Sequence, residues 1–189
     1  TAITINASEN VGIGETSPLG KLHIKGSDTG ATASAQGNSL VLEDSENGLS
    51  ILSSTAGAGY INFGDSGDNN IGMIVYDHST NALKTHVNGS ERLRIDSTGA
   101  VTMPSQPAFL AKMSASQTNL AINTAVKIQF DTEIFDQGAD FNTTTNTFTA
   151  PVTGKYFLAM NLNFDNLDTG AGYYQLHLGT SNQNFASTN

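Results

Sequence analysis

The sequence contains no cysteine and no tryptophan, has only four prolines, and is 13% charged. Without cysteine there can be no disulfide, no zinc ribbon and no thiol nucleophile, so durability outside a cell has to come from packing or from association between chains. Basic residues are scarce too. Eight Lys plus Arg stand against seventeen Asp plus Glu, a formal charge of −9, and no basic run occurs. Nucleic acid and anionic lipid both require clustered Lys or Arg, so neither is an expected partner, and the negative charge reads as solubility. No apolar run approaches the roughly 20 residues that cross a bilayer as a helix, so no membrane insertion is expected. The chain opens Thr1-Ala2-Ile3-Thr4 with neither Met nor a basic stretch, which reads as a cut end without a signal peptide.

What is present is small and polar. Gly, Thr, Asn and Ser supply 78 of the 189 residues, the mixture of an all-β protein. Two prolines bracket a seam at Met103-Pro104-Ser105-Gln106-Pro107, which places a module boundary between residues 106 and 107. Eight of the nine Phe lie after that seam, from Phe109 to Phe185, so the second module owns the conventional aromatic core.

The first module, 1–106, reads as short strands between Gly, Asn, Asp and Ser clusters, with no apolar period long enough for a helix. Its expected strands are Ala2–Ile5, Lys21–Ile24, Ser39–Leu42, Leu49–Leu52, Tyr60–Phe63, Gly72–Tyr76, Ala82–Val87, Arg92–Ile95 and Ala100–Met103. Asn88-Gly89 signals a two-residue hairpin, because both residues tolerate positive φ. Ile3-Thr4-Ile5-Asn6 followed by Val11-Gly12-Ile13 is echoed ninety residues later by Leu93-Arg94-Ile95-Asp96 followed by Val101-Thr102-Met103. Both read as strand, Asx turn, strand, a unit unable to close a core by itself. In the second module, Val126–Phe130, Tyr156–Phe164 and Tyr174–Leu178 alternate with period two, and Phe141 and Phe148 bracket a polar hairpin tip. Turn signals at such short intervals point to a sandwich or jelly roll.

Motifs of chemistry are few. Gly12-Ile13-Gly14 lacks the third glycine and the following helix of a dinucleotide loop and reads as a hairpin turn. Nothing resembles Gly-x-Ser-x-Gly, and no carboxylate pair for glycoside hydrolysis is apparent, so no enzymatic activity and no catalytic residue are expected. Asp65–Asn70 concentrates oxygen ligands but lacks the closing Glu of a calcium loop and reads as a solvated turn. No metal and no cofactor are expected. Among the four histidines only His23, between Leu22 and Ile24, is a plausible ligand, and it reads more simply as a surface strand histidine. The aromatics Tyr156, Phe157, Phe164, Tyr173 and Tyr174 could stack on sugars, although most read as core or interface. The expected contact residues lie on and beside the polar tip 165–172: Asp165, Asn166, Asp168, Thr169, Tyr173 and Tyr174.

Asn10-Val11-Gly12-Ile13-Gly14-Glu15-Thr16-Ser17-Pro18-Leu19-Gly20-Lys21-Leu22-His23-Ile24 resembles the N-V-G-I-G-x-x-x-P-x-x-K-L-x-I signature of bacteriophage tail-fibre and virion appendage proteins. Glu91-Arg92-Leu93-Arg94-Ile95-Asp96-Ser97-Thr98-Gly99 is similar to the E-R-x-R-I-D-x-x-G segment that accompanies it. From Pro107 onward the chain resembles the trimeric jelly-roll heads of complement first-component and tumour-necrosis-factor-like proteins. That likeness rests on Pro107–Ala111, Phe130–Asp136 and above all Phe148-Thr149-Ala150-Pro151-Val152-Thr153-Gly154-Lys155-Tyr156-Phe157.

These resemblances imply a trimeric β-rich fibre shaft over 1–106 and a TNF-like jelly-roll head over 107–189, C-terminally incomplete at Asn189. Composition agrees with a homotrimer, since about a hundred residues with almost no aromatics bury too little apolar area to offset a chain entropy of roughly 1 to 2 kcal/mol per residue. The implied function is a structural virion fibre, a phage tail fibre that attaches to a receptor at the host cell surface. Its implied partners are other virion structural proteins and a host surface glycan or protein. A capsid-decorating or connector fibre whose head only locks the trimer, and a secreted adhesin-like binding protein, are the alternatives.

Overall fold

A computed structural model describes residues 2–122, 124–167, 169–172, 174–181 and 184–186. The described residues are all-β, with no helix among them. Two compact units divide the chain, Thr1–Asn62 with Ile74–Ala82, and Phe63–Met73 with Leu83–Asn189.

The first unit opens with a four-stranded sheet made of β1 (Ile3–Ile5), β2 (Val11–Ile13), β3 (Leu22–Lys25) and β4 (Leu40–Glu43), in that order. β1 and β2 form an antiparallel hairpin, Ile3 opposite Ile13 and Ile5 opposite Val11. β2, β3 and β4 then run parallel, Val11 beside Leu22 beside Leu40, and Ile13 beside Ile24 beside Leu42. Parallel neighbours need a crossover, usually a helix; here the connections 14–21 and 26–39 make it as irregular chain.

Because side chains alternate along a strand, this register sorts the sheet into two unlike faces. One face carries two aliphatic rows, Ile3-Ile13-Ile24-Leu42 and Ile5-Val11-Leu22-Leu40. The other carries Thr4, Gly12, His23 and Val41 in one row, and Lys25 beside Glu43 in the next. Burial is the reverse of the usual arrangement. His23 is completely buried and Glu43 nearly so, whereas Ile3, Ile5, Ile13, Ile24 and Leu40 are exposed. His23 is therefore not the surface strand residue that its aliphatic neighbours imply. Gly12-Ile13-Gly14 is likewise not a hairpin turn: Gly12 and Ile13 lie in β2, and the turn is at Asn6–Asn10. A Cβ on Gly12 would run into the Glu15 carbonyl oxygen, so the glycine lets the connection 14–21 lie close over the polar face.

β5 (Ala58–Phe63) and β6 (Gly72–Asp77) fall mainly in the first unit, where Val75 and Ala82 are the buried apolar residues. Leu49–Leu52 forms no strand, and Leu52 is 92% exposed. Its apolar pattern lacks a hydrogen-bonded neighbour. β7 (Ala82–Val87) and β8 (Ser90–Ile95) form the expected hairpin, with Asn88 at φ 54° and Gly89 at φ 70° between Val87 and Ser90. β9 (Val101–Thr102) follows antiparallel to β8.

In the second unit β10 (Ala108–Lys112) pairs with β11 (Thr132–Gln137), with a bulge at Leu110/Ala111. β12 (Phe141–Asn142) and β13 (Thr147–Phe148) close the expected polar hairpin, whose tip is organised by Asn142 Oδ1 accepting the Thr144 and Thr145 N–H groups. Phe109 stacks on Phe141 and Phe148 at ring separations of 4.7 and 5.0 Å, and Tyr156 meets Phe148 edge-on at 5.5 Å. Offset and edge contacts at such distances make this cluster the aromatic core of the unit, with Phe141 buried. β14 (His177–Gly179) and β15 (Asn184–Ala186) complete the strands.

Val126–Phe130 and Tyr156–Phe164 are not strands, contrary to their alternation. The burial pattern nevertheless alternates, with Tyr156, Leu158, Met160 and Leu162 half-buried and Phe157 92% exposed. Period two reports which side is apolar; it does not supply a hydrogen-bonding neighbour.

Candidate functional site

The most organised polar cluster sits on the buried face of the β1–β4 sheet. β3 presents His23 and Lys25, β4 presents Glu43, and the connections that cross this face add Glu15, Leu19, Asp28 and Thr29. The Leu19 backbone N–H donates to His23 Nδ1 at 3.3 Å, so the ring proton of a neutral imidazole resides on Nε2. Nε2 faces Glu43 Oε2 at 3.0 Å. The approach is close but out of line for a hydrogen bond, and neither atom has another hydrogen-bond partner. The contact is an electrostatic one between a ring N–H dipole and a carboxylate.

The other Glu43 oxygen accepts from the Thr29 N–H at 2.7 Å and the Thr29 hydroxyl at 2.9 Å. The Thr29 N–H is the main cause that holds the Glu43 carboxyl below the usual range. Lys25 Nζ lies 2.6 Å from Glu15 Oε2, 3.5 Å from Asp28 Oδ1 and 3.7 Å from Glu43 Oε2. Its bond to Glu15, with the Ser17 N–H as a second donor, lowers the Glu15 carboxyl to about 2, and the same bond raises Lys25.

Donor atoms of Glu15, His23 and Glu43 lie within 4.8 Å of one another, a spacing that invites the question of a metal. The chemistry does not fit one. An imidazole that binds a cation through Nε2 has to carry its proton on Nδ1, and Nδ1 faces a donor here. Lys25 already supplies the positive charge. The cluster is a lysine-centred network that fastens both connections to the sheet. Glu15, Lys25 and Glu43 escaped the sequence reading; the signal that could have exposed them is an aliphatic strand whose polar position meets a glycine, Gly12 beside His23.

The expected contact residues are placed differently. Asp165, Asn166, Thr169 and Tyr174 are exposed, while Asp168 and Tyr173 lie outside the described residues. Asn163 Nδ2 donates to both Asp165 oxygens at 3.3 and 3.4 Å, and Asn166 has a positive φ of 53°, so this is a turn. It presents amide and carboxylate groups to solvent. Of the aromatics proposed for stacking, Tyr156 belongs to the Phe148 contact and donates its hydroxyl to the Val152 carbonyl at 2.7 Å; Phe157 is 92% and Tyr174 40% exposed. Asp65 Oδ1 accepts from the Gly67 and Asp68 N–H groups, an Asx turn rather than a set of inward-facing ligands.

Residues 108–188 match the C1q domain family. A C1q domain, of TNF-like fold, is therefore present at residues 108–188. The all-β elements of that segment agree with its jelly-roll class. No curated protein and no solved structure matches the chain. The C1q domain family is structural and ligand-binding rather than enzymatic, its members typically assemble as homotrimers, and no comparison indicates a virion origin.

Proposed function

We propose that the chain is a segment of a homotrimeric fibre whose C1q domain presents exposed loops for attachment to a surface glycan or protein. The observation that carries the reading is the distribution of apolar side chains. Among the described residues only Val75, Ala82 and Phe141 are buried hydrophobics, while Ile5 is 71%, Leu52 92% and Phe157 92% exposed. A stable single chain of this size buries far more, and association with further copies is the least demanding way to cover such surface.

The finer assignment belongs to the same proposal: residues 1–106 form the shaft and 107–189 the head of a phage tail fibre that acts at the host cell surface with other virion proteins. The shaft-type signature at Asn10–Ile24 supports it. Three weak polar sites per fibre raise avidity by about 10² to 10⁴ where geometry permits joint engagement. The test is native mass measurement of the purified chain together with competition of virion adsorption to cells. A trimer that competes supports attachment. A trimer that does not compete transfers the function to the connector reading, and a monomer removes the physical basis of both.

A further inference from the structure

The β1–β4 sheet is packed inside out. Its polar face, with His23, Glu43 and Lys25, is closed by its own connections, and its aliphatic face is left open. We propose that this aliphatic face is an interface between copies of the chain, the surface through which the first unit joins the trimer. The inference rests on the trimeric reading above and adds to it a specific location outside the C1q domain.

Three observations select a further copy as the occupant. The two rows contain Ile, Leu and Val alone, so the face offers no charge and no hydrogen-bonding side chain by which a different partner would be chosen. Such a surface is complementary chiefly to another like itself, and branched side chains on a pleated surface interdigitate. The area suffices: eight aliphatic side chains, five of them 39–71% exposed, leave roughly 600 Å² per copy, close to the about 800 Å² per partner of a standard interface. Finally, the opposite face is already closed by Glu15, Lys25, Glu43 and Thr29, so of the sheet's two faces the aliphatic one is left for a further copy.

Because the chain has no cysteine, a single introduced thiol reports on one position. The full chain carrying Ile24→Cys is treated with a maleimide and its labelling rate compared with that of Ser97→Cys, which lies in an exposed turn, while sedimentation gives the oligomer number. The expected result is a trimer in which position 24 labels on the order of 100-fold more slowly than position 97. A trimer in which both label equally fast overturns this interface and leaves the fibre reading standing. A monomer overturns both. Leu40→Cys, on the neighbouring strand, repeats the measurement should Ile24→Cys not fold.

Discussion

Asn6 and Asp96 do the same work ninety residues apart. Asn6 Oδ1 accepts from the Ser8 and Asn10 N–H groups, and Asp96 Oδ1 accepts from Thr98 and Ala100 in the same way. In each turn the third residue after the Asx has positive φ, Glu9 at 60° and Gly99 at 87°. An L-residue in that region costs about 1 to 2 kcal/mol, part of which glycine returns as chain entropy. Glu9→Gly is therefore expected to stabilise the first turn by about 0.5 kcal/mol. Asn6→Ala, which deletes two acceptor bonds, is expected to destabilise by about 1 kcal/mol; urea unfolding of both variants measures the two shifts. Asp96 differs from Asn6 in carrying charge. The Thr98 hydroxyl and then the Thr98 N–H hold its carboxyl below the ordinary 3.8. Its folded form is thus favoured when ionised: the contribution is complete above pH 4 and is lost as pH falls below that value. Asp96→Asn is expected to flatten that part of the acid stability curve, and an unchanged slope in acid unfolding would contradict the assignment. This turn pair was legible in the sequence, since an Asx side chain needs only local backbone to bond.

At the level of elements, legibility followed locality. The Asn88-Gly89 hairpin and the Phe141/Phe148 hairpin form as expected, because the turn residues alone determine where the chain reverses. The strands expected at Val126–Phe130 and Tyr156–Phe164 do not appear, and neither does Leu49–Leu52, because a ladder depends on a neighbour distant in sequence. The polar packing around His23 was invisible for a related reason. Alternation separated Leu22 and Ile24 from His23 correctly, but which side the connections would cover depended on where Gly12 and Pro18 let the loop settle. Gly12→Ala is expected to force the Glu15 carbonyl away and to destabilise by about 2 kcal/mol, with the loss of the Lys25–Glu15 pair. A denaturant midpoint equal to that of the parent chain would show that the loop can yield.

For the whole molecule the consequence is mass action. When folding and association are coupled, stability rises with the concentration of copies, so the thermal midpoint is expected to increase by several degrees over a hundredfold rise in protein concentration. Differential scanning calorimetry at both concentrations checks this, and a constant midpoint would count against an obligate trimer. The resemblance to C1q heads was legible in the contiguous run Phe148 to Phe157, which lies inside the matched residues 108–188; the contact residues around Asp165 were assigned from polarity and turn content, which describe exposed loops in general.

The all-β class, the absence of disulfides, the Asx and Asn-Gly turns and the likeness of the segment from Pro107 onward to C1q heads were readable in the amino-acid sequence, because each is carried by composition or by contiguous residues. Only the tertiary structure decided that His23 and Glu43 go inward while Ile3, Ile13 and Ile24 go outward. Periodicity defines two faces of a strand without stating which one the rest of the chain will cover, and here a lysine-centred charge network took the inside.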